Sequence, residues 1–282
     1  MSEIETRYRT AKDSGFNPKA FVLINPGNPT GDVVTKEKLE EIVKFCYENR
    51  LLLIADEVYQ EITYEQPFVS ARKVVESLGE PYKSGLEFVS IGSAAKGLLS
   101  ECGLRGAYIE LRNFDPFALG QFAKLRTVGL CPNVTGQLAV ELMVNPPRRD
   151  SNSKEVCDLY EKEKNEILDN LITKRKLTNE KLANTYKMTC NPMFGSYYVF
   201  PRVHMTDSAI KEAKKRGMEP DSFYCVEMLK ETGLMVVPGN GFRQKDGTYH
   251  FRMSSLVYKH DELASVLDNI DSFNKKFFAI YK

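Results

Sequence analysis

The sequence predicts an α/β fold: a mostly parallel sheet in the first half, followed by a smaller C-terminal α+β domain. Three observations carry this. Short runs that are apolar on both faces recur near residues 21–24, 51–55 and 88–91, as strands inside a parallel sheet require. Between the first two lies a stretch with helical spacing, which gives the strand–helix–strand order of a right-handed crossover. Beyond residue 147 the pattern changes to long helices and isolated strands.

Taken in order, residues 21–24 (FVLI) form the first strand and stop at NPGNPTG, residues 25–31, whose Asn, Pro and Gly suit a turn. Thr35 then caps a helix with Leu39, Ile42, Val43 and Cys46 on its apolar face, a spacing of three and four. Residues 51–55 make the second strand, residues 88–91 a third, and residues 107–111 a fourth. Pro146, Pro147, Arg148 and Arg149 punctuate the chain, and a long helix is expected over residues 153–176. Then follow a strand at 197–200, a helix at 221–231, a strand at 249–253 and an amphipathic helix from His260. That last helix carries Leu263, Val266, Leu267, Ile270 and Phe273. The expected organisation is 1–150 for the first domain, 151–178 for a connecting helix and 179–282 for the second domain.

Composition narrows the function classes. The 282 residues carry 39 basic and 38 acidic side chains, a formal net charge of +1, which gives no global attraction to nucleic acid or an anionic membrane. No apolar run is long enough to span a bilayer, and the first fifteen residues have no apolar core of the kind a signal peptide needs. The six cysteines are scattered without a CxxC pair, and the three histidines stand at no metal-binding spacing. No metal site is expected, and a cytoplasmic protein with reduced thiols is.

In an open α/β sheet, ligands sit beyond the carboxyl ends of the strands. There the first strand delivers NPGNPTG, the second Asp56 and Tyr59 in ADEVYQ, and the third Ser93 and Lys96 in GSAAKG. Each has an ordinary structural reading: a tight turn, an aspartate capping the next turn, a solvated lysine. Their joint arrival at successive strand ends points to a site.

INPGNPTG, ADEVY, SxxKG and ECGLRGAY, in this order, resemble the fold-type-I aminotransferases that use pyridoxal 5'-phosphate. The alanine aminotransferases are the nearer match, because VNPPR (144–148), FYC (223–225), VVPGNGF (236–242) and TYHFRMS (248–254) also resemble them. The resemblance runs over essentially the whole chain. It implies that Lys96 holds the cofactor covalently and then serves as the base at the reacting carbon. It implies that Asp56 keeps the pyridine nitrogen protonated, and that Tyr59 and Asn28 hydrogen-bond the ring's phenolic oxygen. Ser93 and Arg105 match the phosphate ligands, and Arg252 matches the arginine that grips the substrate α-carboxylate through a two-pronged pair. The Asn28–Pro29 bond is a candidate cis peptide.

The same resemblance implies transamination between L-alanine and 2-oxoglutarate, amino-acid and 2-oxo-acid substrates, and a homodimer. It also implies that the chain begins inside the family's large domain, so that only part of that domain's sheet is expected. A non-catalytic relative, or a lyase or synthase on the same fold, stays open at this point. Two positions depart from close relatives: Ala95 stands where a hydroxyl residue precedes the lysine, and Leu98 where an aromatic residue is usual. Loss of one hydrogen-bond donor near the phosphate costs about 1 kcal/mol.

Overall fold

The computed structural model describes residues 1–98, 100–256 and 259–282. Two compact units emerge, one made of residues 1–26 and 33–161, the other of residues 27–32 and 162–282.

In the first unit, α1 (Ser2–Asp13) precedes β1 (Ala20–Ile24), α2 (Lys36–Glu48) and β2 (Leu52–Asp56). Then come α3 (Ala71–Leu78), the short α4 (Tyr82–Gly85), β3 (Phe88–Ser93) and β4 (Ala107–Arg112). Among the described residues the sheet runs β1-β2-β3-β4. The first three strands are parallel, and β4 is antiparallel to β3. The reversal follows from the connection: the described residues between Ala94 and Gly106 form no crossover helix, and a parallel return needs one.

Residues in register share a face of the sheet. On one face Leu23, Leu53, Ala55 and Phe88 are buried beneath α2 and α3, whose Leu39, Ile42, Val43, Cys46, Val74 and Val75 complete the core. The predicted apolar face of α2 is therefore the buried one, and Thr35 caps the helix by accepting from the Lys38 amide. Burial pushes the Cys46 thiol up to about 12, so it packs as a small apolar group. The opposite face is open in part: Val22 is 59% exposed, Ile24 38% and Ile109 46%, while Val89 is buried. Asp56, in register with Ile24 and Ile91, belongs to this second face.

Two further helices follow, α5 (Pro116–Thr127) with no buried residue and α6 (Val134–Val144) with only Gly136 and Ala139 buried. α6 approaches the turn before β4 backbone to backbone. A Cβ on Gly106 would lie 2.3 Å from the Gly136 carbonyl, and one on Gly136 would lie 2.7 Å from the Leu104 carbonyl. Asn133 caps α6 through the Thr135 amide and donates from Nδ2 to the same Leu104 carbonyl at 2.8 Å.

The long helix α7 spans Lys154–Ala183, beyond the predicted end at residue 176, because Thr178 and Leu182 continue its buried stripe. In the second unit come β5 (Met188–Thr189), β6 (Tyr198–Val199), β7 (Arg202–Val203), α8 (Asp207–Lys215) and α9 (Pro220–Thr232). β8 (Val237–Pro238), β9 (Tyr249–Ser254) and α10 (His260–Ile280) complete it. The strands pair antiparallel in the order β5-β7-β9-β6, with β8 also on β9. The predicted strand at 197–200 shortens to a two-residue β6.

The core of this unit is aromatic. The Tyr224 ring stacks on Phe251 at 5.9 Å and meets Phe273 and Phe277 edge-on, while its hydroxyl donates to Asn274. Residues 27–32 are stitched into the same unit. The Gly31 carbonyl accepts from the amides of Phe194 and Gly195, both at 2.9 Å, and Ser196 Oγ donates to the Gly27 carbonyl. Gly31 has φ +74°, and a Cβ there would lie 2.7 Å from the Tyr198 carbonyl, so the turn requires glycine twice over. The Asn28–Pro29 bond is cis, as are Asn25–Pro26 and Glu80–Pro81.

Candidate active site

β3 ends at Ser93, and the chain turns at once, so Lys96 stands just past the carboxyl end of the strand. Ser93 and Lys96 line one cavity of about 310 Å³, together with Val58, Gln60, Tyr108 and Val144. That is the lower end of the range for small-molecule sites. Ser93 Oγ donates to the Gly106 carbonyl at 3.0 Å and accepts from the Ala95 amide at 3.1 Å, which fixes the turn into Lys96. Among the described residues nothing hydrogen-bonds or ion-pairs with Nζ of Lys96. Glu61 also lines this cavity, and no ion pair ties the half-buried amine among the described residues, so it is available to a ligand.

Ala95 and Leu98, where the sequence departs from its resemblance, are both buried. Cys102 Sγ donates to the Ala95 carbonyl at 3.0 Å and closes the loop on itself.

Asp56 ends β2, the strand beside β3. Its Oδ1 accepts only a long 3.4 Å bond from the Val58 amide, and among the described residues no cation pairs with it. Burial pushes its carboxyl above the usual range, opposed in part by the Val58 amide. A carboxylate so placed gains from a cationic partner. Tyr59 is buried beside Val58. The residue that follows Asp56 plays a separate part. Glu57 is buried and accepts from Ser70 Oγ (2.7 Å) and the Ala71 amide (2.6 Å), so it anchors the start of α3. Its carboxyl is raised by burial, and these two bonds work against the rise.

Arg105 does not line the Lys96 cavity. It sits in the left-handed region (φ 55°), with Nη1 donating to the Cys102 carbonyl at 2.7 Å. It lines a neighbouring cavity of about 200 Å³ with Gly106, Asn133, Gly136, Gln137 and Glu141. The Ser93–Gly106 bond joins the walls of the two cavities.

In the second unit, Asn28 and Arg252 meet: Nη1 of Arg252 donates to Asn28 Oδ1 at 3.0 Å. The guanidinium lies 4.8 Å from the Tyr198 ring centroid and 5.2 Å from that of Phe242. Two aromatic faces and one amide thus fix its plane, as a two-pronged carboxylate receptor needs.

Sequence reasoning missed Tyr108, Gly136, Tyr198 and Phe242. Tyr108 had a signal nearby in Gly92, since a Cβ there would lie 2.2 Å from the Tyr108 ring. The others depend on contacts between distant segments.

The donor set fits pyridoxal phosphate in its essentials: an amine in a cavity and a half-buried carboxylate, neither ion-paired among the described residues, and a hydroxyl on the cavity wall. The profile of the aminotransferase class I and II family matches residues 1–270. The chain belongs to this family. This aminotransferase-family chain is 44% identical to the probable mitochondrial alanine aminotransferase of Dictyostelium discoideum, over 100% of its own length and 52% of the relative's. It is 42% identical to human alanine aminotransferase 1, over 100% of itself and 56% of that protein. The chain therefore spans about half the length of the curated relatives it matches. Its fold is similar to that of the solved alanine aminotransferase from Pyrococcus furiosus, at TM-score 0.72 and 23% identity, covering 92% of this chain and 58% of that one. Among the described residues no helix is long and apolar enough to cross a membrane.

Proposed function

We propose that the chain supplies the cofactor and substrate residues of a pyridoxal-phosphate-dependent aminotransferase that exchanges an amino group between L-alanine and 2-oxoglutarate. The observation that carries this reading is the unpaired Lys96 amine, sharing a cavity with Ser93 at the carboxyl end of β3. The identity of 44% and 42% to relatives named alanine aminotransferases supports the choice of L-alanine.

When bound, pyridoxal phosphate supplies an electron sink for the carbanion formed at the substrate Cα. Lys96 holds the group and is the base that moves the Cα proton. Asp56, short of a cation, gives the counter-charge for a protonated pyridine nitrogen. Tyr59 and Asn28 act on the phenolic oxygen. Ser93 would turn its hydroxyl from the Gly106 carbonyl to the phosphate, and Arg105 would reach the phosphate by leaving the Cys102 carbonyl. Arg252 takes the substrate α-carboxylate, held flat by Tyr198 and Phe242 so that the bound amino acid presents one fixed bond for cleavage.

A homodimer is the assembly this reading favours, because α5 and α6 present Phe117, Leu125, Leu138 and Leu142 to solvent. The six free thiols favour the cytoplasm, and fractionation tests this against the mitochondrial location in the name of the Dictyostelium relative.

The test is cofactor capture by the purified chain, followed by borohydride trapping and peptide mass analysis. Label on the peptide carrying Lys96, lost in Lys96→Ala and released by L-alanine before trapping, is the expected result. Equal labelling of Lys96→Ala sinks the assignment.

A further inference from the structure

We propose that Asp221 and Gln244 are positioning residues for carboxylate capture: they tie down the connection between β8 and β9 so that Phe242 lies across the Arg252 guanidinium. This rests on the reading of Arg252 as the carboxylate receptor.

The connection covers residues 239–248 and opens with a 3-10 turn at Gly239–Phe242. Nε2 of Gln244 directs its two hydrogens to Asp221 Oδ2 (2.8 Å) and the Thr248 carbonyl (2.7 Å). Its Oε1 is buried with no partner among the described residues and faces Gly239, where a Cβ would lie 2.2 Å away. Turning the amide over would set an oxygen between two acceptors, so one orientation is enforced. Asp221 is 3% exposed on the first turn of α9, and it also accepts from the Ser222 amide (3.1 Å) and from the backbone of Asn240. One carboxylate anchored on a helix therefore holds the connection on both sides of Phe242.

The tie is costly. A carboxylate has been taken out of water, and an amide oxygen has been left without a donor. Phe242 is what the arrangement delivers. Its ring meets Phe200 edge-on at 5.4 Å, Phe200 stacks on His250 at 4.7 Å, and Phe242 also faces Arg252 at 5.2 Å. Tyr198 approaches the same guanidinium at 4.8 Å. With Phe242 in place the guanidinium is shielded from water and held in plane, which strengthens a two-pronged bond to a carboxylate.

The experiment uses the full chain and maleate as the dicarboxylate probe, followed by calorimetry and by amide hydrogen exchange over residues 239–248. In Gln244→Ala and in the isosteric Gln244→Glu, which sets a like charge against Asp221, these amides exchange faster. The maleate dissociation constant rises about ten-fold in both, as it does in Phe242→Leu, while thermal midpoints stay within a few degrees. Faster exchange with unchanged maleate affinity overturns the proposal, and so does unchanged exchange. Arg252→Ala separates the two ideas. If it abolishes maleate binding while the Gln244 variants bind normally, the carboxylate reading of Arg252 stands and the positioning role falls. If Arg252→Ala binds maleate as the parent does, both fall.

Discussion

Arg252 donates to Asn28 at 3.0 Å across 224 positions of sequence, so the turn after the first strand and the middle of β9 share one hydrogen bond. Asn28 thus presents its side-chain oxygen to the guanidinium and leaves its amide hydrogens for another acceptor. Asn28→Ala removes a bond to a charged group, and carboxylate affinity should fall by roughly ten-fold. Asn28→Asp should do worse, by roughly a hundred-fold, because an internal carboxylate then competes for Arg252. Titration of both variants with maleate checks this, and equal affinity in Asn28→Asp and the parent would show that Asn28 does not govern the guanidinium.

Asp56 gives a pH-dependent prediction. Burial raises its carboxyl above the usual aspartate range, so it takes up a proton at a higher pH than a solvated aspartate does. A folded value above the unfolded one means that its contribution to stability is fully present below about 3.9 and is lost as pH rises through the folded value. Asp56→Asn should therefore leave the cofactor-free chain at least as stable at about pH 7. Cofactor retention should move the other way, since a neutral Asp56 offers no charge to a protonated ring nitrogen. Wild type should hold the cofactor less well as pH falls towards the raised folded value of Asp56, and Asp56→Asn should hold it weakly with a flatter profile. Equilibrium dialysis as a function of pH is the check, and parallel curves for the two chains would remove Asp56 from the ring.

Much of the first unit was legible because local pattern and tertiary role coincide there. The spacing of Leu39, Ile42, Val43 and Cys46 names the face of α2 that the sheet covers. The doubly apolar runs mark β1, β2 and β3, and the candidate lysine follows directly from a strand end. The direction of β4 was not legible from its own residues; it depends on the lack of a crossover helix among the described residues before it. β5, β7 and β8 are two residues long, too short for any period to appear. At the site, Lys96, Ser93 and Asp56 announce themselves through local motifs, whereas the Asp221–Gln244 tie and the aromatic walls of Arg252 arise from segments that meet only in the fold.

The Gly106–Gly136 contact sets two effects of opposite sign against each other. Gly136 lies inside α6, where alanine would favour the helix by up to about 1 kcal/mol. The added Cβ would stand 2.7 Å from the Leu104 carbonyl and 3.0 Å from that of Arg105, and neither backbone atom can rotate away. Overpacking of this kind costs about 1–3 kcal/mol, so the clash outweighs the propensity gain. Gly136→Ala should destabilise the chain by roughly 1–2 kcal/mol in urea unfolding. α6 carries one wall of the Arg105 cavity, and relief of the clash requires it to move away from the turn that sets Arg105. Inorganic phosphate should therefore protect Arg105 from guanidine-directed modification in the parent chain and do so less in Gly136→Ala. A variant more stable than the parent would mean that the turn gives way freely, and that α6 does not hold Arg105 in position.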